Sequence, residues 1–211
     1  FTSLRLRSLT GVGRDNQGML APRKKYWSSP TVVIEAAIEL LQIKPSDVAY
    51  DIGCGDGQFL ARCGEVMGLA RSEGGGGAGS AAGGRVVGVE IEADKADQAR
   101  QRLVKMGLNE SVEVWTGNAL DYTYSDATVI YVALIPRGLR RILPILQKIP
   151  HPVRVATYLF PFEGVKHVHM WKNEAQGKDD VAWPVYLYHL NTENEEQERI
   201  ASEDCEMCSL L

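Results

Sequence analysis

The sequence predicts an α/β fold, with a mostly parallel seven-stranded sheet that closes on an antiparallel edge hairpin. Three observations carry this. Five short apolar runs alternate with helix-patterned segments, the signature of a parallel sheet with right-handed crossovers. Two late strand-like runs have only a polar linker between them, which suits an antiparallel pair. The stretch "DIGCGDGQ", Asp51 to Gln58, falls where the first strand hands over to a helix.

Taken in order, "SSPTVVIEAAIELLQI" reads as a helix, with Ser29 as cap, Pro30 in the first turn and Val33, Ala36, Ala37, Leu40 and Leu41 as its apolar stripe. "VAYDI" is a short buried strand, followed by the glycine loop and a helix from Gln58 to Met67. Seven of the twelve residues 73–84 are glycine, so this segment reads as a flexible insertion whose ordering would cost too much backbone entropy. "RVVGVE" is the second strand and ends in Glu90; a helix over about Asp94–Met106 is stopped by Gly107. "SVEVWTG" and "ATVIYVAL" are strands three and four, and Pro136–Lys148 is a helix that Pro144 should kink. "PVRVATYLF" is the fifth strand, and "KHVHMW" and "WPVYLYHL" form the hairpin.

Composition narrows the function. The 211 residues suit one domain over 26–190. The net charge of −4 makes no general case for a nucleic-acid or membrane partner. Residues 1–25 carry +5 as a basic leader, and residues 191–211 carry −6 as an acidic tail. The leader has the Arg-, Ser- and Leu-rich, acid-poor composition of a mitochondrial transit peptide, so the expected location is intracellular, mitochondrial or cytoplasmic. Four cysteines make no disulfide framework at this length. Cys205 and Cys208 form a C-x-x-C without a second pair, so no metal site is expected. The final "CSLL" fits a prenylation box only formally, because position 209 is not aliphatic. No apolar run reaches the roughly 20 residues of a membrane helix.

The glycine loop lets a ligand approach bare backbone at Gly53 and Gly55, with the free N–H groups of the next helix aimed at the site. A dinucleotide would ask for G-x-G-x-x-G. Here the spacing is G-x-G-x-G through Gly57, and the acidic Asp56 would repel a pyrophosphate. The carboxylate of Asp51 suits a ligand with a positive amino group and no phosphate, and S-adenosylmethionine fits that description. Glu90, at the end of strand two, offers two acceptor oxygens for ribose hydroxyls. It lies 39 residues after Asp51 rather than about 20, an excess that the glycine-rich insertion mostly accounts for. In "TGNAL", Asn118 can address an adenine edge and Ala119 can lend backbone, although a plain turn would read the same way. Cys54 joins this set through its place in the loop. All these positions map to the carboxyl ends of the strands, where open α/β sheets bind ligands.

Together, "DIGCGDGQ", the acid of "VVGVE" and "GNAL" resemble the seven-strand class I methyltransferases over about Tyr26 to Leu190. The resemblance implies a Rossmann-like sheet in the order 3-2-1-4-5-7-6 and S-adenosyl-L-methionine as cofactor. The end of strand four, "VIYVALIP", lacks the N/D-P-P-Y/F sequence of enzymes that methylate adenine or glutamine. "YWSSP" and "VAYDIGCGDG" are similar instead to the archaeal and mitochondrial protein-lysine methyltransferases. That likeness adds Tyr26 to the cofactor-binding residues, places Tyr131 on the catalytic tyrosine of strand four, and makes a protein lysine the expected acceptor. Tyr26, Trp27, Tyr131, Tyr158 and Phe160 are candidates for an aromatic channel wall; a core role is the better reading for Trp27, Tyr158 and Phe160, whereas position and resemblance favour the site for Tyr26 and Tyr131. Val129, Tyr158 and Leu159 depart from the family pattern. An RNA or small-molecule acceptor, or a non-catalytic partner subunit with this fold, therefore stays open.

Overall fold

Strands and helices alternate as the pattern predicts and assemble one sheet, ordered β3-β2-β1-β4-β5-β7-β6. The computed structural model describes residues 28–70, 83–173 and 183–192. The basic leader with Tyr26 and Trp27, most of the glycine-rich segment, residues 174–182 and nearly all of the acidic tail lie outside them. The strands are β1 (Val48–Ile52), β2 (Arg85–Glu90), β3 (Val112–Thr116), β4 (Val129–Val132), β5 (Val153–Tyr158), β6 (His169–Trp171) and β7 (Val185–Leu190). The helices are α1 (Thr31–Leu41), α2 (Gln58–Val66), α3 (Ala93–Lys105) and α4 (Pro136–Leu146), with a 3-10 turn at Ala119–Asp121. β1 to β5 run parallel to one another, and β7 is antiparallel to both β5 and β6.

The period-two pattern splits the apolar side chains between two cores. Ala49, Val86, Val129 and Ala156 face α1, α2 and α3, in a layer with Val33, Leu41, Leu60 and Leu103. Tyr50, Val87, Ile130 and Val155 face the other way, packing with Leu139, Ile142 and Leu146 of α4. Residues 51 and 131 fall on the first of these faces, and β1 and β4 hold them in register as Asp51↔Tyr131. The carboxyl end of the sheet becomes the rim where the candidate residues gather. α2 ends and β2 begins at the opposite pole, so the glycine-rich segment between them leaves and returns there.

Several local expectations are corrected. Ser29 does not cap α1: Pro30 occupies the N-cap position, its carbonyl accepting from Val33 and Ile34, and the Ser29 hydroxyl turns to Tyr131. β4 covers only Val129–Val132 of the expected eight residues. β5 stops at Tyr158 because Leu159 adopts φ 66, a left-handed conformation that breaks the pleat. The edge strand shortens to His169–Trp171. α4 ends two residues past Pro144, which leaves the proline in its last turn.

The pole opposite the rim is closed by a dense polar clip. Arg154 of β5 donates to the carbonyls of Leu41 and Gln42 at 2.6 and 2.8 Å and to Asp47 at 2.6 Å. Asp47 also accepts from the Thr128 hydroxyl and the Lys44 N–H, both at 2.7 Å. A cation at the carboxyl end of α1 answers both its orphan carbonyls and its dipole.

Candidate active site

The loop after β1 owes its shape to three left-handed glycines, Gly53 (φ 83), Gly55 (φ 55) and Gly57 (φ 78). Side chains rarely adopt that region, so the sequence G-x-G-x-G is a requirement of the turn itself. The loop is pinned to the sheet because the Gly53 and Cys54 N–H groups both donate to the Val89 carbonyl. A Cβ at Gly53 would sit 3.0 Å from the Leu134 side chain, so the bare backbone also forms a cradle there.

Asp51 stands behind this loop, 2% exposed, and its Oδ1 is buried without a hydrogen-bond partner among the described residues. Native proteins rarely leave a buried polar atom so. Burial pushes its pKa well above the ordinary aspartate value, and the carboxylates of Glu90 and Asp56 push it further the same way. Asp47, just before the same strand, has every neighbour that Asp51 lacks. The contrast leaves Asp51 as a buried carboxylate at the rim whose Oδ1 has no hydrogen-bond partner among the described residues.

Glu90 is 8% exposed, and its two oxygens accept from the Gly55 and Glu92 N–H groups, each at 2.9 Å. A carboxylate offers about four acceptor directions, so both oxygens retain capacity for ribose hydroxyls. Asn118 caps the 3-10 turn, its Oδ1 accepting from the Leu120 N–H at 3.1 Å. That assigns the oxygen to the turn. The Gly117 N–H donates to the Glu90 carbonyl, which ties this turn to the end of β2. Cys54 is buried, and its thiol is pushed far up by that burial and by Asp51, so it packs and does not react.

Tyr131 is 1% exposed and lies in one narrow cleft with Ser28, Ser29, Asp51, Gly53 and Phe59. Its ring stacks on Phe59 with centroids 4.3 Å apart and planes 12° apart. Its hydroxyl shares a 2.9 Å hydrogen bond with Ser29, and burial raises its pKa, so the phenol stays neutral. Tyr158 is buried in the same core layer and Phe160 is exposed; neither lines this cleft. Tyr26 and Trp27 lie outside the described residues.

The reading of the sequence missed Phe59, Ser29 and Gln58 as cleft residues. Phe59 carried a signal, since an aromatic at the second position of the helix after a glycine loop is set beside that loop. Ser29 and Gln58 carried none, because their roles depend on contacts between segments distant in sequence: Ser29 bonds Tyr131, and Gln58 Nε2 donates to the Ser28 hydroxyl. The histidines serve elsewhere. His151 bonds the Pro152 and Ser125 carbonyls, and His167 packs edge-on to Tyr186. Among the described residues no group of three or more His, Cys, Asp or Glu is placed to hold a metal, and no helix is long and apolar enough to cross a membrane.

No family model matches the sequence. A protein-lysine N-methyltransferase of Saccharolobus islandicus is 25% identical over 168 residues, which cover 79% of this chain and 94% of that protein. The crystal structure of an RNA methyltransferase from Salinibacter ruber, in complex with S-adenosyl-L-homocysteine, superposes with a TM-score of 0.63 at 24% identity, over 78% of this chain and 94% of that one. An S-adenosylmethionine-dependent O-methyltransferase from Thermotoga maritima gives 0.60 at 14% identity, over 79% and 67%. With the strand order, these similarities give the chain the fold of the class I S-adenosylmethionine-dependent methyltransferases.

Proposed function

We propose that this class I fold works as an S-adenosylmethionine-dependent methyltransferase whose acceptor is a lysine side chain of a protein. The observation that carries the cofactor assignment is the buried, unpartnered oxygen of Asp51 beside Glu90, above a loop of bare backbone. Asp51 would hold the amino group of the ligand, Glu90 its ribose, and Asn118 with Ala119 its adenine, while Gly53 and Gly55 give it room.

S-adenosylmethionine supplies an electrophilic methyl group on a sulfonium, which transfers by in-line displacement. The work left to the protein is positioning, and holding the reacting atoms in line and close accounts for most of such a catalysis. The acceptor amine must first be neutral, whereas free lysine has a pKa of about 10.4. The stacked rings of Phe59 and Tyr131 give the cleft an apolar wall that lowers this value by desolvation and receives the ammonium by cation–π contact. The neutral Tyr131 hydroxyl, held by Ser29, orients the amine. The lysine assignment is supported by the sequence resemblance around "YWSSP" and "VAYDIGCGDG" and by the similarity to the Saccharolobus enzyme along nearly its whole length.

One observation favours a second reading, an RNA acceptor. Arg137 and Arg140 are exposed on the first turns of α4, next to the rim, and the Salinibacter structure is that of an RNA methyltransferase. A transfer assay with methyl-labelled S-adenosylmethionine and a cell extract separates the two. Label that is released by protease and found on methyl-lysine supports the first reading, and label released by nuclease replaces it with the second. Asp51→Ala and Glu90→Ala should each abolish cofactor binding in a calorimetric titration. If both bind like the parent, the site assignment falls.

A further inference from the structure

We propose that Arg102 of α3 is a positioning residue for the cofactor: it fixes the glycine loop from outside, so that the loop's inner surface is shaped before a ligand arrives. This inference rests on the cofactor reading above. A loop with left-handed glycines at 53, 55 and 57 has unusual backbone freedom, and something must remove it. From inside, the start of the loop is pinned by the Val89 carbonyl, and beyond it the hold is the Glu90 side chain at Gly55, a carboxylate that must also serve the ligand.

The outer hold is charge-assisted and falls on the next residue of the loop. Arg102 Nε donates to the Asp56 carbonyl at 2.9 Å, and Nη2 donates to the Asp56 carboxylate at 2.7 Å. Two donors of one planar fork thus grip both the backbone and the side chain of a single loop residue. Ala99 lies three residues earlier on the same face of α3 and packs directly on Gly57. A Cβ at Gly57 would stand 2.8 Å from that of Ala99. The small residue lets the helix approach and the fork holds it there. Asp56 also meets Gln58 Nε2 at 3.3 Å, and Gln58 donates to Ser28, so the gripped loop holds the segment that roofs the cleft. Arg102 lies in an open groove with Gln98, Gln101 and Lys105, whereas Asp56 borders both that groove and the cleft. The guanidinium therefore acts through Asp56 and not on the ligand.

Charge and position make opposite forecasts, which allows a clean test. The ligand is cationic, so removing a nearby cation should tighten binding if charge were all that mattered. If Arg102 positions the loop, its removal should weaken binding. Calorimetric titration of S-adenosylmethionine into the full chain should give a dissociation constant raised about tenfold in Arg102→Ala. A smaller rise is expected in Arg102→Lys, which keeps the charge and most of the stem but loses the fork. At saturating cofactor, kcat should stay within about twofold of the parent, with the loss confined to the KM for cofactor. Should Arg102→Ala not fold, by circular dichroism, the comparison stands on Arg102→Lys alone. Unchanged or tighter binding, or a loss confined to kcat, overturns the inference. A parent that neither binds S-adenosylmethionine nor transfers label overturns the cofactor reading and this inference with it.

Discussion

Asp47 and Asp51 bracket the same strand and show how one residue type serves two ends of a fold. Asp47 is surrounded by Arg154, Thr128 and a backbone N–H and contributes to stability. Asp51 is buried with one oxygen bare and costs stability in the ligand-free protein. The sign of its pH dependence follows. Its folded pKa lies above the unfolded value, so the folded state holds a proton that the unfolded chain releases first. The stability of the ligand-free protein is thus greatest below the unfolded value and is lost as pH rises through the folded one. Asp51→Asn keeps the shape and removes that loss. At pH 8 the ligand-free variant should melt about 2–4 °C above the parent, the shift for about 1 kcal/mol in a chain of this size, and should no longer bind S-adenosylmethionine. At pH 4 the gap should shrink. A scanning-calorimetry series that shows no pH-dependent gap would remove Asp51 from this role. The placement of Asp51 and Glu90 at the carboxyl ends of their strands was legible in the sequence, because the apolar runs beside the glycine loop leave few alternatives. That Tyr131 meets Ser29 and Phe59 was not, since rotamers and cross-chain contacts have no local signature.

At the scale of elements, the helices and strands were legible and their ends were not. Apolar periodicity reports which residues face the core, but pairing decides where a strand stops. Leu159 ended β5 through its backbone conformation, held by a hydrogen bond from its N–H to the Pro184 carbonyl. No propensity assigns a left-handed turn to leucine. Likewise Ser29 was a reasonable cap by type, but a buried tyrosine hydroxyl competed for it and won. The Arg154 clip joins α1, β4 and β5, none of which is adjacent to all the others in sequence. Arg154→Ala leaves a buried carboxylate and two helix-end carbonyls short of a partner. It should cost about 3 kcal/mol, seen as a lower urea midpoint with an unchanged slope. Because this clip lies at the pole away from the rim, cofactor affinity per folded molecule should be unaffected.

Across the whole molecule, the sheet separates a satisfied pole from an unsatisfied one. The strand order puts β1 and β4 side by side at the point where the sheet reverses, and that switch point is where Asp51 and Tyr131 become neighbours. The order itself was inferred from a family resemblance, since periodicity cannot say which strands pair. A ligand that neutralises the rim binds only the folded state. At a hundredfold excess over its dissociation constant, S-adenosylmethionine should therefore add about 2.7 kcal/mol. That corresponds to a rise in melting temperature of about 5–10 °C, which a thermal-shift titration would detect. Arg102→Ala should show a smaller rise at the same ligand concentration.

The point where the glycine-rich segment joins the fold has a practical side. Its two anchors, the end of α2 and the start of β2, stand on the pole away from the rim, and chain length added between such anchors changes loop-closure entropy only slowly. The segment 71–82 is therefore a natural port for cargo. A fluorescent peptide or affinity epitope spliced there should ride on the protein while affinity for S-adenosylmethionine stays at the parental level, giving an optical handle on the rim that leaves the rim untouched.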